Sequence, residues 1–211
     1  MRESSARRAS RIAVLTGDLI GSSDYAMGDI DRAFAALSSA AEAAAAWHHA
    51  SLRFTRNRGD GWQVCLAQTP LALRTALFLR ARLAALGGPG TRIAIAEGDG
   101  RPADNGNLNR ATGPAFTLSG RTLDALAGHE AMRHASGGPM GAATRLADHI
   151  SQGWTQVQAE TIAIFLPPNA PTRAEASRRL EKSRQAVDQA LAAAGYPAIS
   201  DALRMIEEDD A

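Results

Sequence analysis

The chain has 211 residues, 45% of them apolar, a formal net charge of +1 and one cysteine, Cys65. That length allows one large domain or one and a half, with ample material for a core; a single thiol excludes an internal disulfide framework and fits a reducing, cytoplasmic location. The small net charge gives no global pull towards nucleic acid, and no apolar run is long enough to span a bilayer, so no membrane partner is expected.

Residues 1–10 lack the hydrophobic stretch of a signal peptide and read as a disordered leader. Residues 12–16 form a strand pattern, apolar at successive positions and so expected at the centre of a sheet. It runs into Gly17-Asp18-Leu19-Ile20-Gly21-Ser22-Ser23. A helix over 29–47 carries Ile30, Phe34 and Leu37 at helical spacing. Segments 52–56 and 62–66 flank Gly59-Asp60-Gly61 and read as a hairpin, with Cys65 a buried apolar position. A helix over 70–86 starts at a proline and stops at Gly87-Gly88. A strand over 91–97 leads into 98–113, polar, glycine-rich and expected to be a mobile loop, and a helix over 114–126 follows. The βαββαβ order predicts an α+β first domain, 11–138, with a ferredoxin-like sheet and helices on one face.

Near Ser136-Gly137-Gly138-Pro139 the strand signals end. Helices are expected over 142–150, 155–165, 172–180, 183–194 and 199–207, giving a small all-α domain over 142–207. Thr172 and Glu175 have the spacing of a capping box. The short link Glu181-Lys182 suggests a helix-turn-helix with 183–194 as its recognition helix, Ala186, Val187, Ala190 and Leu191 facing the core. From residue 148 onward acids outnumber bases, ten to six. Arg173, Arg178, Arg179, Lys182 and Arg184 nevertheless cluster around the turn, and with Gln185 they are the candidate DNA contacts. A helical bundle used for dimerisation is the plainer reading of the same segment.

Two carboxylates carry the chemistry. Asp18 and Asp60 each lie where a strand gives way to a glycine-flanked turn. Paired there, they could hold a divalent ion that positions a polyphosphate, because hard oxygen donors suit Mg²⁺ or Mn²⁺ and glycine lets backbone approach a phosphate. Aspartate also serves simply to shape turns. His48-His49 project in different directions and do not suggest a shared metal; His129 and His134 lack a third ligand nearby in sequence. There is no Walker lysine, no Ser-His-Asp signature and no zinc-finger cysteine pair.

The segments IAVLTGDLIGSS, FTRNRGDGWQV, RIAIAEGDG and GPAFTLSGRTLDALAG, in this order, resemble the catalytic domain of class III nucleotidyl cyclases. The resemblance is closest to the SatD-like family, in which a cyclase-like domain precedes a C-terminal DNA-binding module. It covers 11–134 most specifically. It implies metal binding by Asp18 and Asp60, with Mg or Mn as the expected cofactor, and phosphate wrapping by Leu19, Ile20, Gly21, Ser22 and Ser23. Arg56 stands where cyclases often read the purine, and Arg110 where they select the base. Arg121 matches the arginine that steadies charge at phosphorus. The family's asparagine four residues earlier is here Thr117, which has no amide to offer. Metal positions are kept while base-reading and transition-state positions depart, so the resemblance implies a cytoplasmic, nucleotide-binding, DNA-binding regulator with little or no cyclase activity. It also implies a homodimer in which Arg121 serves the partner's site. The alternative is an active cyclase or related phosphoryl-transfer enzyme with metal at Asp18 and Asp60.

Overall fold

The structure, a computed structural model, describes residues 10–57, 59–101 and 106–209. Most of the expected leader therefore lies outside the described residues, as do Arg58 and residues 102–105. Among the described residues five strands form one sheet: β1 (Ser10–Leu19), β2 (Arg53–Arg56), β3 (Gly61–Leu66), β4 (Thr91–Gly100) and β5 (Met132–His134), in the order β2-β3-β1-β4-β5. The first four are mutually antiparallel, and β5 lies parallel to β4. With α1 (Met27–Ala44) between β1 and β2, and α2 (Ala72–Ala84) between β3 and β4, the first half is two interleaved β-α-β units.

β1 is central, as its doubly apolar pattern predicts. Its odd positions Ala13 and Leu15 join Trp62, Val64, Ile93 and the apolar stripes of α1 and α2 in the main core. Its even positions Ile12 and Val14 face the other way, onto Cys65, Leu108 and the α3 (Pro114–Asp124) residues Ala115 and Phe116. The expectation of helices on one face is thus corrected: α3 covers the second face, and that is why β1 is apolar at every step. Gly98 to Gly100 also differ from expectation, continuing β4 opposite Ser10–Ile12 instead of opening a loop. Cys65 is free and buried, and burial pushes its thiol up to about 11.

The chain continues as α4 (Gly138–Gln152), α5 (Gln156–Phe165), α6 (Arg173–Leu180), α7 (Arg184–Ala193) and α8 (Tyr196–Asp209). Thr155 and Thr172 both close capping boxes, with Gln158 and Glu175. The core does not stop at the glycine-rich link. Ala147, Trp154, Ile162, Phe165, Val187, Leu191 and Leu203 belong to the same cluster as Leu15 and Leu77. Two arginines of α2 fasten the halves together. Buried Arg74 makes a bidentate pair with Glu207 of α8 (2.6 and 2.9 Å) and reaches the Leu166 carbonyl at 2.8 Å. Arg80 reaches Asp148 of α4 at 2.7 Å, and Asp148 is 0% exposed.

Candidate functional site

Gly17 explains how the end of β1 is built. A Cβ there would meet the Trp62 ring at 2.4 Å and the Arg92 carbonyl at 2.5 Å, so only glycine lets the indole lie across β1. The Trp62 ring N–H then donates to the Thr91 hydroxyl on β4 (3.0 Å), and that hydroxyl donates to the Asp18 carbonyl (2.7 Å). Three neighbouring strands are thereby pinned where the carboxylates emerge. Asp18 pairs in register with Gly61 on one side and Arg92 on the other. The Leu19 N–H donates to the Asp60 carbonyl at 3.1 Å, which brings the two strand-end turns together.

The result is a cleft of about 520 Å³ lined by Asp18, the whole loop Leu19 to Ser23, Asp60 and Arg92, closed on its far side by Gly128, His129, Glu130, Ala131 and Gln152. That volume lies within the range of small-molecule sites. Gly21 sits in the left-handed region (φ 63°), which turns the loop back over the carboxylates. Ser22 donates its hydroxyl to Asp60 at 2.6 Å. Asp18, Asp60 and Leu19 to Ser23 thus line one cleft.

Arg92 is the feature that sequence reasoning missed. Its guanidinium engages both oxygens of Asp18, Nε at 2.8 Å and one terminal nitrogen more closely. Asp18's hydrogen bonds raise the Arg92 pKa against the opposing effect of burial, and the charges of Asp18, Asp60 and Asp124 add to the rise. The two carboxylates and one guanidinium leave this wall net negative, which suits a cation. The donor set is right in kind for Mg or Mn, because such ions are held by one or two carboxylates with phosphate oxygens completing the shell. Among the described residues, however, no three His, Cys, Asp or Glu side chains gather as a metal group. A cation at Asp18 must also share that carboxylate with Arg92.

The residues expected to read the base lie elsewhere in the protomer. Arg56 pairs with Asp31 at 2.9 Å and stacks over the Phe34 ring at 4.0 Å, so α1 holds it away from the cleft. Arg110 is exposed at the end of a 3-10 turn, Leu108–Arg110, tied to β2 through Thr55. Thr117 turns its hydroxyl to the Gly113 carbonyl (3.5 Å). Arg121 is exposed on the last turn of α3 and does not line the cleft.

In the helical half, α6 ends at Glu181 in the left-handed region (φ 54°), and Ser183 caps α7. Val187 and Leu191 are buried, as the sequence pattern predicts, and Arg178, Arg179, Arg184 and Gln185 are exposed. Arg173 and Lys182 already have partners in the fold. Arg173 pairs with Asp188 at 3.0 Å and stacks over Phe165 at 4.4 Å, and Lys182 pairs with Glu160 at 2.7 Å.

The chain is similar to nucleotidyl cyclases of solved structure. One is the guanylyl cyclase Cya2, at 16% identity and a TM-score of 0.43, with 62% of this chain and 80% of that chain covered. Another is a bacterial light-regulated adenylyl cyclase, at 12% identity and a TM-score of 0.40, with 56% and 40% covered. No family model matches the chain, and no curated protein matches it. Among the described residues no helix is long and apolar enough to cross a membrane.

Proposed function

We propose that the protein is a cyclase-like regulator of the SatD-like kind that binds a nucleoside polyphosphate in the Asp18–Asp60 cleft and carries that signal to a DNA-binding helical half. The observation that carries the reading is the convergence of Asp18, the loop Leu19 to Ser23 and Asp60 on one cavity of about 520 Å³. Gly21 and Ser22 supply the close backbone approach and hydroxyl that phosphates require. Asp18 and Asp60 would hold Mg or Mn, which supplies neutralisation of phosphate charge when bound. Arg92 sets the cleft's resting charge by pairing with Asp18 until a cation competes for it.

Cyclisation is the weaker reading. It needs an arginine at the phosphorus, and Arg121 lies outside the cleft of its own protomer. A head-to-tail homodimer would have to bring it across, with Leu118 (41% exposed) on the same helix as part of the contact. Thr117 and Arg110 add no amide or acid to help it. Nucleotide binding with little or no turnover fits these residues best.

Support for the DNA-binding half comes from the capped α6–turn–α7 unit and its exposed Arg178, Arg179, Arg184 and Gln185. A nucleotide could bias this unit only by binding one arrangement of the two halves better than another. The shared core and the Arg74 and Arg80 ion pairs are the physical connection available for such coupling.

A thermal-shift series with nucleoside triphosphates, with and without Mg²⁺ or Mn²⁺, tests the reading. Ligand at a hundredfold excess over its dissociation constant stabilises the fold by about 2.7 kcal/mol. No stabilisation by any nucleotide, with either metal, would refute it.

A further inference from the structure

A second polar constellation lies where the edge strand β5 gives way to α4. β5 ends at His134, and after Ala135, Ser136 and Gly137 the chain turns into α4. Gly137 and Gly138 both have positive φ (66° and 56°), which makes this strand-to-helix turn abrupt and leaves Ser136 exposed at its apex. The Ser136 N–H donates to His134 Nδ1 at 3.3 Å. In the neutral ring Nδ1 is therefore the lone-pair nitrogen, and Nε2 carries the proton. The Ser136 hydroxyl lies 2.8 Å from Nδ1 and 3.4 Å from the Gly137 carbonyl, so its one proton is shared towards the nearer ring nitrogen. On the other side of the ring, Nε2 is closed off from solvent and faces Glu97 Oε1 at 3.4 Å. That spacing is looser than a formed hydrogen bond, as acid–base pairs often are before substrate arrives.

We propose that Ser136, His134 and Glu97 form a nucleophilic centre that hydrolyses esters of small or medium apolar acyl groups. The arrangement is serine to imidazole to carboxylate, with the two ring nitrogens exchanged relative to the usual triad; such centres are defined by geometry and role, not by order in the chain. Glu97 is the positioning residue: contact with His134, opposed by burial and helped by Arg11, lowers its carboxyl pKa, so it stays ionised against the imidazole. α4 adds the electrostatic part. Its first-turn N–H groups have no intrahelical acceptor by position, and the helix begins two residues after Ser136, with Pro139 contributing no N–H. All three side chains line a cavity of about 570 Å³ whose other walls include Leu118, Met140, Met205 and Ile206, with Arg11 and Asp209 the further charged residues; the apolar stretch is large enough for an acyl chain.

The chemistry balances without a cofactor. Ser136 Oγ attacks the ester carbonyl carbon as its proton passes to His134 Nδ1. The new C–O bond forms, the alcohol C–O bond breaks, and the proton leaves with the alcohol. Water repeats the sequence on the acyl-serine, releasing the acid and regenerating Ser136. Ester and water give acid and alcohol, with no change of oxidation state.

The test uses the full chain, a fluorophosphonate probe and p-nitrophenyl butyrate. The expected results are covalent labelling at Ser136 by peptide mass spectrometry and a burst of nitrophenolate equal to the enzyme present. Ser136→Ala, at an exposed position, should keep its melting temperature and lose both. Glu97→Gln should lower kcat by about 100-fold or more at unchanged KM, with partial rescue in Glu97→Asp. Absence of the label from Ser136, hydrolysis by Ser136→Ala equal to wild type, or a Glu97→Gln variant that shifts melting but not kcat would each overturn the proposal.

Discussion

Asp148 holds the two halves of the molecule at one buried point, and removing it should be costly. Its carboxylate accepts from Arg80 at 2.7 Å, from the Ala131 N–H at 3.1 Å and from Arg145 at 3.2 Å, and it is 0% exposed. Burial depresses the Arg80 pKa, and Asp148 is the group that opposes this. Asp148→Ala leaves the Arg80 guanidinium buried without a counter-ion, its remaining contacts being the Ser151 hydroxyl and a main-chain carbonyl. Breaking a buried pair in this way costs about 3–5 kcal/mol. For a chain of this size each kcal/mol moves the melting temperature by about 2–4 °C, so a fall of about 6–20 °C is expected by calorimetry. Ala131 lines the candidate cleft, so nucleotide affinity should fall with stability. The double variant Arg80→Met/Asp148→Leu should recover most of the loss, because it removes both charges. A loss below about 1 kcal/mol in Asp148→Ala, the range of exposed pairs, would refute this account of how the halves are joined.

Three other outcomes follow from particular contacts. Gly17→Ala drives a methyl into Trp62 and the Arg92 carbonyl, and should cost about 1–3 kcal/mol in urea unfolding; a neutral result would show that the indole does not lie across β1. His48 is buried, donates from Nε2 to Thr75 and accepts the Gln68 N–H on Nδ1, and burial, then His49, lower its pKa from 6.5 to about 4. Its contribution is therefore complete above pH 6.5 and is lost as pH falls towards 4, by about 3 kcal/mol in all, so His48→Gln should flatten the stability–pH curve across that window and leave wild-type slope only if the ring is charged in the fold. Arg92→Ala removes the guanidinium that competes for Asp18 and should raise Mn²⁺ affinity by roughly fivefold, the most a half-exposed pair gives; weaker Mn²⁺ binding by calorimetry would mean that Arg92 supports the cation and does not compete with it.

What the sequence made legible was local. The position of Asp18 and Asp60 at strand ends follows from apolar runs broken by glycine. The cap at Thr172 and the buried Val187 and Leu191 follow from spacing along a helix. Properties that depend on which strand lies beside which were not legible. Arg92 meets Asp18 only because β1 and β4 pair in that register, and nothing near residue 92 announces an acidic partner 74 positions away. β5 escaped detection because three residues are too few for a period, and with it went the pairing of His134 with Glu97 on the parallel strand. Arg56 carries the right charge for a ligand contact, but Phe34 and Asp31 on α1 are nearer and hold it.

Under the proposed function, Asp18 and Asp60 jointly bind a nucleotide through a divalent ion. Isothermal titration of ATP and of GTP, in Mg²⁺ or Mn²⁺, into wild type, Asp18→Asn and Asp60→Asn tests it most directly. Saturable, metal-dependent binding in the wild type, lost in both variants while circular dichroism shows them folded, is the expected result. Equal affinity in all three proteins would contradict the account.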